Sequence, residues 1–147
     1  ESVKRLMGMT VPAKPLPAGG AEEAAAREAL WEWAVRHTER NDLFLTDSPE
    51  FREKTLRPIT GAFKDGAYVV LAGTAPLYRW YVYIREVEAC RARKGVNCWF
   101  DLARKYEAKY VVVDPGVRDA APDGGFIRIW SQSGWSLWRR AEAPSGA

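Results

Sequence analysis

The chain has 147 residues and a net charge of +3, from 22 basic and 19 acidic side chains. A chain of this length is the size of one domain, and it can bury about two thirds of its unfolded surface with no metal or disulfide. The charge is too small and too evenly mixed for a nucleic-acid partner, and no stretch reaches the roughly eighteen apolar residues of a bilayer span.

Residues 1–20 read as a flexible leader. "TVPAKPLPAGG" crowds prolines and glycines together, which blocks both helix and sheet ladders. The chain starts at Glu1 with no signal segment, so it reads as a piece of something longer. From Ala21 to His37 the pattern is helical, with Ala26, Leu30, Trp33 and His37 on one face. "DLFLT", Asp42 to Thr46, is a short apolar run of the kind that forms a buried strand. Asp47 or Ser48 then caps a short helix over 49–54, with Pro49 preset for its first turn. "LRPITG" is a second strand, which Pro58 confines to an edge or a strand start.

"AYVVLAG", Ala67 to Gly73, reads as a further strand. Thr74 caps a long helix in which Leu77, Tyr81, Ile84 and Glu88 share a stripe. Gly95 ends it, and Asn97 caps the next helix, whose face carries Trp99, Leu102, Ala103 and Tyr106. "KYVVVD" is the clearest strand, since its β-branched run suits the centre of a sheet. "FIRIWSQSGWSLWRR" is a hairpin turning at Ser133-Gly134, and alternation exposes Trp130 and Trp138 opposite Ile129 and Leu137. The order predicts one α/β domain over residues 21–142, followed by a disordered tail over 143–147. Its architecture is a three-layer Rossmann-like sandwich, with a mostly parallel sheet and a C-terminal antiparallel hairpin.

Cys90 and Cys98 bracket "CRARKGVNC", a spacing of no zinc or redox motif. A tight turn at Gly95 and Asn97 brings the sulfurs within bridging range. Two free thiols and a disulfide both remain open, and a bridge favours an exported domain.

In a parallel α/β sheet, ligands sit beyond the carboxyl ends of the strands. Asp47, Ser48, Thr60, Lys64, Asp114 and Gly116 gather there. Arg52, Arg57 and Lys64 add charge-assisted contacts for a phosphate or sugar. On that reading, changing these three cations together to Ala leaves the fold intact. The plainer reading makes Asp47 and Ser48 helix caps, Asp114 a turn residue and the cations a solvated face. His37 is the only histidine and suits a helix end better than a triad. One histidine, two close cysteines and scattered acids make no zinc site, and no phosphate loop appears, so neither metal nor cofactor is expected. The alternative is a small hydrolase or transferase using Asp47, Ser48 or Asp114 at the strand ends, and Asp47, Asp65 and Asp114 are available as paired carboxylates for glycoside cleavage. Seven Trp residues either fill the core or offer rings that stack on sugars.

The ordered set Trp33, Thr38, Asp42 with Leu43-Phe44-Leu45, Pro49, Phe51-Arg52, Arg57-Pro58, Phe63-Lys64, Trp80 and Tyr110 to Val113 resembles a known family. It is similar to the soluble C-terminal domain, of unknown function, of multi-pass bacterial membrane proteins that look like GT-C glycosyltransferases. The resemblance covers the central half of the chain. Where that family often carries two prolines, this chain has Asp47-Ser48-Pro49. The resemblance implies a membrane-embedded remainder and a periplasmic or extracellular location. It also implies a non-catalytic role assisting recognition of a glycan or lipid-linked sugar, since the catalytic acids of such enzymes lie in the membrane portion.

Overall fold

The computed structural model describes residues 20–46, 48–62, 65–93, 95–117 and 125–142. The expected leader, apart from Gly20, and the expected tail over 143–147 lie outside them, as do Asp47 and Lys64. The elements in chain order are α1 (Gly20–His37), β1 (Phe44–Leu45), α2 (Pro49–Thr55), α3 (Gly66–Val69) and a 3-10 turn (Val70–Ala72). They continue with α4 (Thr74–Arg93), α5 (Val96–Lys105), β2 (Tyr110–Val113), β3 (Phe126–Gln132) and β4 (Trp135–Arg140).

The four strands form one sheet in the order β1-β2-β4-β3. Only β1 and β2 run parallel, with Phe44 beside Tyr110 and Leu45 beside Val111. The β2–β4 and β4–β3 pairs are antiparallel. This mixed sheet overturns the expectation of a mostly parallel Rossmann-like sandwich. Two of the expected parallel strands do not form among the described residues. "LRPITG" contributes a single bridge, Phe44 to Ile59, because Pro58 has no N–H to extend a ladder. "AYVVLAG" folds as α3 and the 3-10 turn, with Val70 and Leu71 exposed. From Val70 to Ala72 its apolar side chains lie at the surface and not in a buried strand.

Helices cover both faces of the sheet. On one face Leu30, Trp31 and Ala34 of α1 and Phe51 of α2 pack on Phe44, Tyr110 and Leu137. On the other, Tyr83, Ile84 and Val87 of α4 and Phe100 and Ala103 of α5 pack on Leu45, Val111, Val113, Phe126 and Trp138. The period-2 alternation of β1, β2 and β4 deals side chains to the two clusters in turn. Both faces are packed over β1, β2 and the middle of β4, so Trp138 is buried and Trp130 partly buried, contrary to the exposure expected of them. The buried stripe of α4 is Tyr83, Ile84, Val87 and Cys90, which leaves Tyr81 on the outer side. Gly95, not Asn97, occupies the N-cap of α5. The β3–β4 turn has positive φ at both Ser133 and Gly134, the twist that a two-residue hairpin needs.

Tyr106 follows α5 and lies edge-on to Tyr83, with ring centroids 5.0 Å apart. Its hydroxyl donates to Glu86 Oε1 at 3.0 Å, the same oxygen that receives Lys105 Nζ at 2.7 Å. Burial first, then the Glu86 hydrogen bond and charge, push the Tyr106 phenol up to about 12. A raised phenol leaves stability intact below the unfolded value of about 10 and removes it as pH climbs toward the folded one. Absorbance titration is expected to show a tyrosine ionising near pH 12, and Tyr106→Phe is expected to abolish that step and flatten the stability loss between pH 10 and 12.

Candidate functional site

The parallel pair places the carboxyl ends of β1 and β2 side by side. Thr46 leaves β1 there, and Ser48 caps α2, its Oγ accepting from Phe51 N at 3.3 Å. Thr46 Oγ1 in turn accepts from Ser48 N at 3.2 Å, fixing the corner between strand and helix. Asp114 leaves β2 at the same end. Its Oδ1 accepts from Gly116 N at 3.1 Å, and its Oδ2 lies 3.8 Å from Arg91 of α4. The antiparallel partner β4 begins here with Trp135, one residue before Ser136, which pairs with Val113.

These residues enclose a cavity of about 80 Å³ lined by Thr46, Ser48, Arg91, Trp99, Val112, Asp114, Val117 and Trp135. An adjoining cleft of about 290 Å³ shares Val117 and Trp135 and runs along the hairpin tip past Arg128, Ser131 and Gln132. At the hairpin tip Gly134 packs closely on Pro115, where a Cβ would lie 2.9 Å from Pro115 Cβ. The indole N–H groups of Trp99 and Trp135 are buried, and neither has a hydrogen-bond partner among the described residues. A buried donor without an acceptor costs about 1–3 kcal/mol. Both side chains line the same small cavity, so a ligand carrying oxygen acceptors would answer the donors where the rings turn to meet it.

The sulfurs of Cys90 and Cys98 are bonded, with Cα atoms 5.5 Å apart. Cys90 precedes Arg91 and Cys98 precedes Trp99, so the bridge ties two lining side chains together across the α4–α5 turn. The Arg91 guanidinium lies 5.8 Å from the Trp99 ring centroid.

Of the sequence-predicted site residues, Ser48 and Asp114 share this cavity. Asp47 and Lys64 lie outside the described residues. Arg57 is elsewhere and is 8% exposed. Its guanidinium donates to Thr38 Oγ1 at 3.0 Å and to the carbonyls of Thr55 at 3.1 Å, Val35 at 3.1 Å and Thr38 at 2.9 Å. It therefore ties the carboxyl end of α1 to that of α2 and cannot reach a ligand. Its burial and four acceptors lead to the opposite expectation from the sequence, that its removal destabilises the fold. Arg52 is held by Asp65 through two hydrogen bonds, at 3.0 and 3.3 Å, and this contact raises its guanidinium above the ordinary value. Thr60 shares a 2.7 Å hydrogen bond with the Tyr83 hydroxyl, away from the cavity. His37 ends α1, with Nδ1 2.9 Å from the Trp33 carbonyl and its ring stacked on that indole.

Sequence reasoning missed Arg91 and Thr46 as lining residues, and it raised the tryptophans as core or sugar-stacking rings without placing Trp99 or Trp135 at this cavity. The usable signal was adjacency: Arg91 and Trp99 each follow a cysteine, and Trp135 follows the Ser-Gly turn. A larger groove of about 470 Å³ crosses α1 and α2, but it is walled by side chains of both signs such as Glu28, Glu32, Arg36 and Lys54 and holds none of the predicted site residues. Among the described residues no group of three His, Cys, Asp or Glu side chains is placed to hold a metal ion, and no helix is long and apolar enough to cross a membrane. No protein-family model, no curated protein and no solved structure matches this chain.

Proposed function

We propose that the chain is a non-catalytic extracytoplasmic module that holds the end of a glycan or lipid-linked sugar in the cavity between Trp99 and Trp135, in support of a membrane-embedded remainder of its protein. The observation that carries this reading is one cavity lined by two tryptophans whose buried indole N–H groups have no acceptor among the described residues. Sugar hydroxyls present both acceptors and donors on neighbouring carbons. The lining answers both, with a donor at Arg91, an acceptor at Asp114 and hydroxyls at Thr46 and Ser48, and the two indoles add donors where their rings turn to the ligand. The adjoining cleft adds Ser131 and Gln132 for a second ring. The disulfide supports an oxidising compartment.

Binding is favoured over hydrolysis by the state of the groups present. Glycoside cleavage calls for two carboxylates across the scissile bond. Asp114 is the one acid on the cavity among its described lining residues, and it is already engaged by Gly116 and Arg91. The Ser48 hydroxyl caps α2, while His37 sits at the far end of α1's sequence with no link to it. The test is a fluorescence titration with disaccharides of glucose, galactose, mannose and arabinose. At least one is expected to bind. Trp99→Phe and Trp135→Phe keep the apolar ring and lose the donor, so each is expected to weaken binding about tenfold, equivalent to about 1.4 kcal/mol. Unchanged affinity in both variants, or release of free sugar during the titration, would overturn the proposal.

A further inference from the structure

We propose that the groove between α1 and α2 is a two-fold interface that a second copy of this chain fills. The groove holds about 470 Å³ and is lined by Glu28, Trp31, Glu32, Val35, Arg36 and Lys54. Trp31 and Val35 are its apolar lining, and Val35 is 46% exposed. The two helices lie side by side and point the same way. Arg27 of α1 meets Glu50 at the start of α2, at 4.0 Å, and the Arg57 guanidinium joins their carboxyl ends through Val35, Thr38 and Thr55. Glu28 and Glu32 therefore stand at one end of the groove, and Arg36 and Lys54 at the other.

Charge selects the occupant. All four charged lining side chains are exposed, and among the described residues none of them has an ion-pair partner. The remaining charges of the two helices are placed otherwise. Glu22 and Glu23 lie in the first turn of α1, and His37 stacks on Trp33 at its end. Arg27 faces Glu50, and Arg52 is held by Asp65 with Glu53 adding its field. A two-fold axis across the middle of the groove sets two copies head to tail, so the acids of each meet the cations of the other at both ends. The same reversal opposes the two α1 macrodipoles. Trp31 and Val35 fall between the charged ends, which puts the apolar lining at the axis. The chain thus carries its own complement in reverse order. Two short helical faces make a small interface, so the dimer is weak and sensitive to salt. This inference stands apart from whatever the cavity binds.

The test is sedimentation equilibrium of the full chain in low and high salt, at concentrations up to about 1 mM, where weak interfaces fill. Dimers are expected in low salt and fewer in high salt. The Glu28→Lys, Glu32→Lys double variant makes every lining charge positive, and the Arg36→Glu, Lys54→Glu double variant makes every one negative. Each alone is expected to self-associate about tenfold more weakly, with circular dichroism unchanged because all four side chains are exposed. An equal mixture of the two is expected to form dimers again, since every charge then faces its opposite. A monomer at every concentration would give the groove to another occupant, such as the chain's own residues 1–19, and overturn the proposal. Dimers indifferent to both double variants, or a mixture that stays monomeric, would overturn it as well.

Discussion

Arg57→Ala is expected to lower the melting temperature by more than about 10 °C, whereas Arg52→Ala is expected to lower it by a few degrees at most. Arg57 is buried, and its guanidinium serves four acceptor atoms on Thr38, Thr55 and Val35. Two of the acceptors, the Val35 and Thr38 carbonyls, lie at the end of α1, where helical carbonyls lack partners in the following turn. Alanine strips the donor from these two part-buried oxygens and from the buried Thr55 carbonyl. Each such loss costs about 1–3 kcal/mol and the losses do not add fully, so about 4 kcal/mol is expected in all. That is a large share of the roughly 5–15 kcal/mol that holds a domain folded. At about 4 °C per kcal/mol, where the ranges for smaller and larger domains meet, a loss of about 4 kcal/mol lowers the midpoint by roughly 16 °C. Lysine does not rescue it, because a point ammonium cannot replace a planar fork. Arg52 differs because its side chain is 43% exposed, and an ion pair open to water is worth about 1 kcal/mol or less. Differential scanning calorimetry of the two single variants decides the matter. Equal, small shifts would place Arg57 on the surface and return it to the list of ligand contacts.

Reduction of the Cys90–Cys98 bridge is expected to cost about 2.5 kcal/mol and to weaken sugar binding at the same time. The two cysteines are 8 apart in sequence. Closing a loop of that length removes about 2.5 kcal/mol of unfolded-chain entropy at 25 °C. The second effect comes from position. Arg91 and Trp99 adjoin the bridged cysteines, and both line the cavity. Freeing the α4–α5 turn lets the Trp99 donor and the Arg91–Asp114 pair drift apart, so preorganisation is lost along with stability. The Cys90→Ser, Cys98→Ser double variant, studied by urea unfolding and by sugar titration below its transition, is expected to show both losses. A stability loss with intact affinity would mean that the α4–α5 packing of Val87, Val96 and Phe100 positions the lining unaided.

Some of this was readable in the sequence and some was not, for physical reasons. The valine run of β2 and the Ser-Gly turn of the hairpin were readable because their determinants are local: β-branching in one case, tolerance of positive φ in the other. The α1, α2, α4 and α5 helices followed from spacing and stop signals for the same reason. "AYVVLAG" misled because β-branched residues favour strands only where a neighbouring strand and a core receive them, and here Gly66 turns the chain against Trp80 instead. Sheet direction depended on which strands existed, so losing two expected strands left one parallel pair beside a hairpin. The candidate site divides along the same line. Ser48 and Asp114 were placed correctly at neighbouring strand ends because the β1–β2 pair is parallel. Arg52 and Arg57 look alike in sequence. What separates them is a set of carbonyls 19 and 22 residues upstream of Arg57, invisible until α1 is docked. That Trp99 and Trp135 lack acceptors is likewise a property of three-dimensional packing.

The sugar-binding claim is tested most directly by following the indole N–H resonances in ¹H–¹⁵N spectra as the disaccharide that binds best is added. Trp80 and Trp138 act as internal controls, since their indoles already donate to the Ala62 carbonyl and to Ser136 Oγ at 3.0 Å each. The expected result is a downfield shift and slowed exchange at Trp99 and Trp135, with Trp80 and Trp138 unmoved. Saturable binding that leaves the Trp99 and Trp135 signals in place would contradict the assignment of this cavity.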